Sequence, residues 1–360
     1  MCDTRCETTI GLVLTVDLAR VSFTRFAVPV AAEDVWTSDE CEIGFPATQL
    51  VPSWTARTAP GAWIEVALRA RAASGARTKW YVMGRWSEAG DPRMSVPGQG
   101  DVDGDVAVDT FVARRPVVAY QVRVTRHGAG ALVTGLGVMA SALPRHPVTP
   151  SDPLAAEAVE LAVPRHSQHV HAGHHPRFDG GGVNWCSPAS VAMVLGYWGR
   201  GPEPGELDWV GADDPAPIVD HAAMGTYDVS YQGTGNWPFN VAYAGRYGLA
   251  GFVTRLRSAA ELESFVRAGI PVITSQSFKS HELPGSCYST NGHILVVVGF
   301  TAGGDVIVND PAAPRDDEVR RVYPRAAYEN VWLRSSGSGG IAYVLHPPGH
   351  PLPPCTDGNW

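Results

Sequence analysis

A cysteine at the start of an apolar helix is the residue of this chain best placed to do covalent chemistry. The segment 184–198 reads NWCSPASVAMVLGYW, which puts Cys186 in the first turn of the predicted helix. Pro188 fits that turn because the first N–H groups of a helix have no partner within it. Those N–H groups and the helix dipole stabilise negative charge, so they favour the nucleophilic thiolate. The alternative is a small core residue that happens to begin a helix.

A thiolate nucleophile also needs a base and a group that orients the base. The segment 290–311 reads TNGHILVVVGFTAGGDVIVNDP, in which two β-branched runs flank a Gly-rich centre. This pattern predicts a β-hairpin, and its first strand, apolar on both faces, should be central in a sheet. With the turn near residues 302–303, the numbers of paired residues sum to about 605.

His293 and Asp310 nearly satisfy this relation, so they are expected opposite one another or one diagonal apart. The carboxylate would then orient the imidazole. Asn309 is the neighbouring candidate, but adjacent strand residues point to opposite faces, and Asp310 is preferred. Taken singly, His293 could be an ordinary strand-end histidine and Asp310 part of a turn. Their joint placement downstream of Cys186 favours a site.

These segments resemble the papain-type cysteine peptidases related to the bacteriocin leader-processing (double-glycine) peptidases. The likeness rests on WCSPAS at 185–190, on GH and the valines after it at 292–298, and on VNDP at 308–311. It extends from about residue 163 to about residue 344. The resemblance implies Cys186 as nucleophile, His293 as general base and acid, and Asp310 as the residue that orients the base.

Such peptidases also stabilise the oxyanion with a glutamine side chain beside the backbone N–H of the nucleophile. In the leader-processing members this glutamine lies about six residues before the cysteine, where the present chain has Gly180. Gln168 is the expected substitute, with an inserted loop between it and Cys186; a surface glutamine is the alternative. Trp185 and Trp237 are expected to line the substrate cleft, Trp237 within an irregular Gly- and aromatic-rich segment at 228–240.

Length and composition indicate a two-domain globular protein. The chain has 360 residues, of which 44% are hydrophobic and 18% charged. A net charge of -8 gives no basic surface for nucleic acid or anionic membranes. No apolar run approaches the roughly 18 residues of a membrane span. The apolar segment 10–16 is too short for a clear signal peptide, although the family resemblance favours export.

No metal or organic cofactor is expected from the sequence. The six cysteines are scattered, without a metal-type Cys-x-x-Cys pair or a dense disulfide framework. If Cys186 is free, the other five cannot all pair within the chain. Five histidines crowd the segment 166–175, but zinc ligands usually include a cysteine or carboxylate at set spacing. We therefore expect a solvent-exposed loop there, without a dedicated metal.

Three regions are predicted along the chain. Residues 1–143 read as an all-β accessory domain, a sandwich of jelly-roll type, with clear alternation at 63–71. Residues 144–162 form a Pro-rich linker, and residues 163–360 an α+β papain-like domain with helices first and an antiparallel sheet after. Exposed aromatic residues of the first domain could contact carbohydrate, although such side chains more often lie in the core; the candidates are Trp54, Trp80 and Trp86.

The predicted function is that of a cysteine peptidase acting on a peptide or protein through Cys186, His293 and Asp310. Another thiol acyl-transfer enzyme, such as an amidase or a transglutaminase-like enzyme, would use the same three residues. A small cysteine-type cell-wall hydrolase normally has its Cys and His much closer in sequence than Cys186 and His293 are. The spacing therefore argues against that class. A catalytically inactive peptide- or glycan-binding protein of the same fold is the remaining alternative.

Overall fold

A computed structural model describes residues 20–29, 34–143, 148–211, 213–336 and 338–360 of the chain. The apolar segment 10–16 lies outside these residues, as do Cys2 and Cys6. Among the described helices, none has the length and apolar character needed to cross a membrane.

The first part of the chain forms an eight-stranded antiparallel sheet in the order β1-β8-β3-β7-β4-β5, with β2 and β6 paired to β7. Its strands are β1 (Arg20–Arg25), β2 (Val35–Thr37), β3 (Cys41–Thr58), β4 (Trp63–Ala72), β5 (Tyr81–Trp86), β6 (Gly104–Ala107), β7 (Thr110–His127) and β8 (Ala131–Ala142).

Two long strands organise this sheet. β3 and β7 each have 18 residues, and β3 pairs first with β7 and then, along its second half, with β8. The alternating segment 63–71 lies in β4, whose side chains at Ile64, Val66 and Leu68 are fully buried. The described strands are hydrogen-bonded into one sheet, so the all-β prediction is confirmed; the jelly-roll strand order stays a prediction.

The second part forms a seven-stranded antiparallel sheet in the order β10-β15-β11-β12-β13-β14, with β9 paired to β12. Its strands are β9 (Val159–Glu160), β10 (Ala250–Arg255), β11 (Val272–Phe278), β12 (Thr290–Phe300), β13 (Val306–Asn309), β14 (Arg320–Tyr323) and β15 (Ile341–His346). The helices are α1 (Cys186–Tyr197), α2 (Pro204–Leu207), α3 (Pro217–Thr226), α4 (Trp237–Arg246), α5 (Ala259–Arg267) and α6 (Arg325–Leu333).

The predicted hairpin is formed by β12 and β13. Its pairs Val296–Asn309 and Val297–Val308 have the predicted register, which shifts beyond Val297. β12 also pairs with β11 and β9, and its residues from His293 to Phe300 are buried, as expected of a central strand. The fold therefore fixes where the ends of these two strands meet.

The two sheets share one hydrophobic core, with α4 between them. Phe239 of α4 packs against Trp54 and Trp86 of the first sheet, with ring centroids 6.0 and 5.4 Å apart. Each tryptophan is 1% exposed, so these two rings lie in the core, which the sequence favoured, and do not contact carbohydrate. Trp80 is covered by guanidinium groups of Arg69 and Arg123.

Polar contacts also join the two sheets. The buried Arg255 of β10 donates to Gln49 Oε1 of β3 at 2.6 Å and to Ser141 Oγ of β8 at 3.1 Å. Ser53 Oγ of β3 accepts from the backbone N–H of Val253 at 3.0 Å. Because these groups are buried, their mutual hydrogen bonds are needed to offset the loss of hydration.

The described end of the Pro-rich segment lies against the second sheet. Its residues 159–160 form β9, and Arg325 of α6 donates to the carbonyl of Ser151 at 2.8 Å. Glu329 accepts from the backbone N–H of the same serine at 2.9 Å. This part of the predicted linker is thus held by the second part of the chain.

Candidate functional site

The thiol of Cys186 stands at the N-terminus of a helix buried in the core. Cys186 is the first residue of α1 and is partly exposed, whereas the residues 187–195 that follow are buried. α1 packs against β12 and α3, which fixes the direction of its first turn. The sulfur therefore meets solvent next to the unpaired N–H groups of a rigid helix end.

His293 and Asp310 meet beside this helix end. His293 lies near the start of β12 and Asp310 directly follows β13, and His293 Nε2 is 2.8 Å from Asp310 Oδ1. The Cys186 thiol is within hydrogen-bonding reach of the same imidazole, which leaves the other ring nitrogen for the sulfur. Asp310 is fully buried and His293 is 4% exposed. The fold thus brings a thiol, an imidazole and a carboxylate together from distant segments.

Asp310 is held as a carboxylate by four donors. Its Oδ2 accepts from the hydroxyls of Tyr288 at 2.8 Å and Tyr323 at 2.6 Å. Its Oδ1 accepts from the backbone N–H of Ala312 at 3.0 Å and faces the His293 ring. Burial opposes ionisation, but the charge and hydrogen bond of His293, with the other donors, hold the pKa of Asp310 well below its usual range.

The same contacts favour the protonated form of His293. Burial alone would lower its pKa, but the charge of Asp310, their hydrogen bond and the contact with Cys186 raise the pKa of His293 well above its ordinary value. The protonated imidazole therefore lies between a carboxylate and a sulfur. A positive charge in this position would stabilise a thiolate.

Asn309 points to the opposite side of the strand, as period-two alternation requires. Its Nδ2 donates to the carbonyl of Pro164 at 2.8 Å, and its Oδ1 accepts from Arg320 Nε at 2.7 Å. It makes no contact with His293 in the hydrogen bonds of the described residues, so Asp310 is the residue that reaches the imidazole.

Gln168 lies between β9 and α1, directly before the short helical turn at 169–171. Its backbone N–H donates to the carbonyl of Pro311 at 2.9 Å, and its side-chain Nε2 donates to the carbonyl of Val183. Gln168 is 5% exposed, so it is not a surface glutamine. The backbone of Gln168 is therefore tied to Pro311, the residue after Asp310. Its side chain is tied to Val183, in the turn that leads into Cys186.

The two tryptophans expected at the cleft occupy different places. Trp237 lines the cleft beside Cys186 and His293. Trp185 is fully buried, its indole N–H donates to the carbonyl of Phe178 at 2.7 Å, and it packs with α1 and α3. Expecting it to line the cleft was wrong, because a residue just before a helix start can turn its ring into the core.

The cleft has a volume of about 660 Å³ and is lined by both parts of the chain. Residues 107–110, at the turn between β6 and β7, form one wall, and Tyr231 and Trp237 stand near the thiol. Asp109 Oδ2 accepts from the backbone N–H of Trp237 at 3.0 Å, which ties this turn to the N-terminus of α4. Burial raises the pKa of Asp109 to about 6, against the hydrogen bonds from Trp237 and Thr110.

Several site residues were not predicted from the sequence. Tyr288 and Tyr323 stand in segments without any recognisable motif, and Asp109 belongs to the first part of the chain. The segment 228–240 was expected to be irregular throughout, but α4 begins at Trp237. Asn236 caps that helix by accepting from Phe239 N at 3.2 Å, an N-cap signal that the sequence does carry.

Among the described residues, the cysteines other than Cys186 do not line the cleft. In the described part of the chain Cys41, Cys287 and Cys355 are free thiols, as is Cys186. Cys287 is exposed. It therefore offers a control for thiol reactivity at Cys186.

The histidine-rich segment differs from its prediction as a solvent-exposed loop. His171 is fully buried, and its ring lies 6.2 Å from that of Trp185. Two successive short turns bury it, since His171 N donates to the carbonyl of Gln168 and His174 N to that of His171. Only part of this segment faces solvent.

Comparison with known protein families gives two matches, both to families of the cysteine-peptidase kind. The Peptidase_C39 like family matches residues 160–339, half of the chain, and the Peptidase C39 N-terminal domain matches residues 30–141. The chain belongs to the Peptidase_C39 like family, as the resemblance in its motifs predicted.

Two solved structures are also similar over parts of the chain. One is described as a putative C39-like peptidase from Bacillus anthracis, at 20% identity and a TM-score of 0.34, covering 52% of this chain and 97% of that one. The other is a fragment of prointerpain A from Prevotella intermedia, at 15% identity and a TM-score of 0.33, covering 56% and 76%. Neither superposition is close enough to support an argument. No curated protein matches the chain.

Proposed function

We propose that this protein is a cysteine peptidase in which Cys186, His293 and Asp310 form the catalytic triad. The observation that carries the proposal is the position of the His293 ring. It lies between a buried carboxylate, 2.8 Å away, and a thiol at the exposed N-terminus of a helix. A structural histidine would need neither the sulfur nor the opening of a cleft.

The proposed reaction has two covalent steps. Cys186 Sγ forms a bond to the carbonyl carbon of the scissile amide, and the C–N bond then breaks as His293 gives its proton to the leaving amine. Water attacks the resulting thioester and gives a proton to His293. The C–S bond breaks, which releases the acid and restores the Cys186 thiolate beside protonated His293. Asp310 keeps the imidazole oriented and stabilises its positive charge throughout.

Two donors support the oxyanion that forms in each step. One is the backbone N–H of Cys186, which as the first helical residue has no partner within α1. The other is the Nε2 of Gln168, which has a second hydrogen beyond the one used on Val183. The hydrogen bond from the backbone N–H of Gln168 to the carbonyl of Pro311 holds this glutamine in place.

The cleft suits an extended peptide or protein segment. Polar residues such as Gln276 and Asn291 line it together with the rings of Tyr231, which is 49% exposed, and Trp237. The turn at 107–110 gives the N-terminal domain a direct role, because it supplies one wall of this cleft. We therefore assign that domain to substrate binding by the peptidase rather than to carbohydrate.

Labelling and hydrolysis together test the proposal. An iodoacetamide-type probe is applied across pH to the full chain, to Cys186→Ala and, as a matched control, to Cys287→Ala. A fast phase of labelling near neutral pH should appear in the wild type and in Cys287→Ala and should vanish in Cys186→Ala, which leaves only the slow labelling of the other free thiols. Labelling at the rate of an ordinary free thiol would contradict an activated thiolate.

Hydrolysis of a denatured protein, followed by mass spectrometry of the new termini, distinguishes a peptidase from the other thiol enzymes. New carboxyl termini that depend on both Cys186 and His293 support the peptidase. Amide transfer to an added amine without new termini would instead identify a transglutaminase-like acyl transferase. Binding without either product would identify an inactive relative.

A further inference from the structure

Four side chains beside the catalytic segment converge as metal ligands would. His171 and His174 come from the loop between Gln168 and Cys186, Asp214 from the connection before α3, and Asp220 from the first turn of α3. One potential ligand atom of each lies within 4.8 Å of the others. The spacing is irregular in sequence, so no motif reveals it.

The distances between these atoms fit a tetrahedral ion. His171 Nδ1 lies 2.7 Å from Asp220 Oδ2 and 3.7 Å from Asp214 Oδ1. His174 Nδ1 lies 3.0 Å from Asp214 Oδ2 and 3.3 Å from Asp220 Oδ1. Ligands at Zn–N and Zn–O distances of about 2.0–2.2 Å stand about 3.3–3.6 Å apart at the corners of a tetrahedron. The four separations, which involve both oxygens of each aspartate, run from 2.7 to 3.7 Å and bracket this range.

Burial without hydrogen bonds is the second observation. His171 and Asp220 are fully buried, yet His171 Nδ1 and both oxygens of Asp220 make no hydrogen bond within the described residues. Nδ1 of His171 and Oδ2 of Asp220 are 2.7 Å apart but make no hydrogen bond, so both atoms are available to a cation. Two carboxyl groups, 3% and 0% exposed, thus gather beside two imidazoles, and buried polar groups without hydrogen bonds are costly unless a ligand such as a cation binds them.

We propose that His171, His174, Asp214 and Asp220 bind one Zn²⁺. Two imidazoles disfavour Mg²⁺ and Ca²⁺, which prefer oxygen ligands, and four protein ligands make a closed, structural site. The ion fixes the loop after Gln168 to α3. Trp185, the residue before the nucleophile, packs against the His171 ring, so the metal holds in place the segment that carries Cys186.

The test measures bound metal in the untagged full chain carrying Cys186→Ala, so that the thiol cannot contribute a ligand. Elemental analysis should find about one zinc per chain. Asp220→Asn in the same background should retain less than a tenth of that amount, and His281→Ala, which removes an exposed histidine elsewhere, should retain all of it.

A second measurement needs no variant of the site. Chelator-stripped protein should regain one equivalent of Zn²⁺ in a calorimetric titration, and its unfolding temperature should rise by about 5 °C or more. Absence of stoichiometric zinc in both experiments would overturn the proposal. So would full zinc content in Asp220→Asn, or occupancy by magnesium or calcium in place of zinc.

Discussion

The two tyrosine hydroxyls on Asp310 allow the electrostatics of the site to be tested without touching the three proposed catalytic residues. Tyr323→Phe removes one donor, 2.6 Å from Oδ2, and keeps the buried ring in place. Tyr328→Phe is a matched control. Its ring is equally buried, but its hydroxyl lies 2.5 Å from the neutral Thr274 hydroxyl.

The expected magnitudes follow from the charge of each partner. A hydrogen bond to a charged group contributes about 1.5–3 kcal/mol and one between neutral groups about 0.5–1.5 kcal/mol. At pH 7 Tyr323→Phe should therefore lower the free energy of unfolding about twice as much as Tyr328→Phe. Because the pKa of Asp310 is depressed, its stabilising contribution is present at neutral pH and is lost as pH falls through the folded-state pKa.

Urea denaturation of both variants at pH 7 and at decreasing pH measures this difference. The loss in Tyr323→Phe should stay constant above the folded-state pKa of Asp310 in the variant and should shrink only at acidic pH, as the pH falls through that pKa. The loss in Tyr328→Phe should stay constant. Equal losses for the two variants at pH 7 would refute the view that Asp310 is held as a carboxylate by its donors.

Three further changes probe other parts of the site. Asp310→Asn removes the charge that raises the pKa of His293, so kcat/KM for peptide hydrolysis should fall roughly 10²-fold and its alkaline limb should move to lower pH; an unmoved limb would contradict the pairing. Burial raises the pKa of Asp109 to about 6, so its ionisation costs stability as pH rises from about 4 to 6, and Asp109→Asn should gain up to about 3 kcal/mol over wild type across that window in urea denaturation. A difference that does not change with pH would show that the group is not buried as described. Gly182→Ala places a Cβ 2.3 Å from the backbone of His171 and should cost about 1–3 kcal/mol in thermal unfolding, whereas Gly205→Ala meets nothing within 4 Å; equal melting temperatures would argue against the tight turn before Cys186.

The placement of Cys186, His293 and Asp310 could be predicted from the sequence better than that of the other site residues. The register of β12 and β13 could be predicted because hairpin pairing follows from the position of the turn, and this register brings His293 to Asp310. The start of the helix at Cys186 could likewise be predicted from the residues next to it in the sequence. These are short-range rules that need no knowledge of tertiary packing.

What could not be predicted depends on contacts between distant segments. Nothing near Tyr288 or Tyr323 indicates that both hydroxyls meet one carboxylate, and nothing near Asp109 indicates that it reaches the catalytic cleft. The burial of Trp54 and Trp185 likewise depends on which helix covers them. Aromatic residues on strands or at helix starts face either solvent or core, and only the assembled fold decides.

The shared core of the two sheets has a consequence for how such chains diversify. Recombination between residues 143 and 148 would join a foreign sheet to the second part of the chain. Phe239 would then lose its contacts with two indole rings, and the Val253 N–H would lose the serine hydroxyl that accepts from it. Such recombination would also exchange a wall of the cleft. An accessory domain here can be replaced only together with the surface it covers, so substrate preference and stability are inherited as one unit.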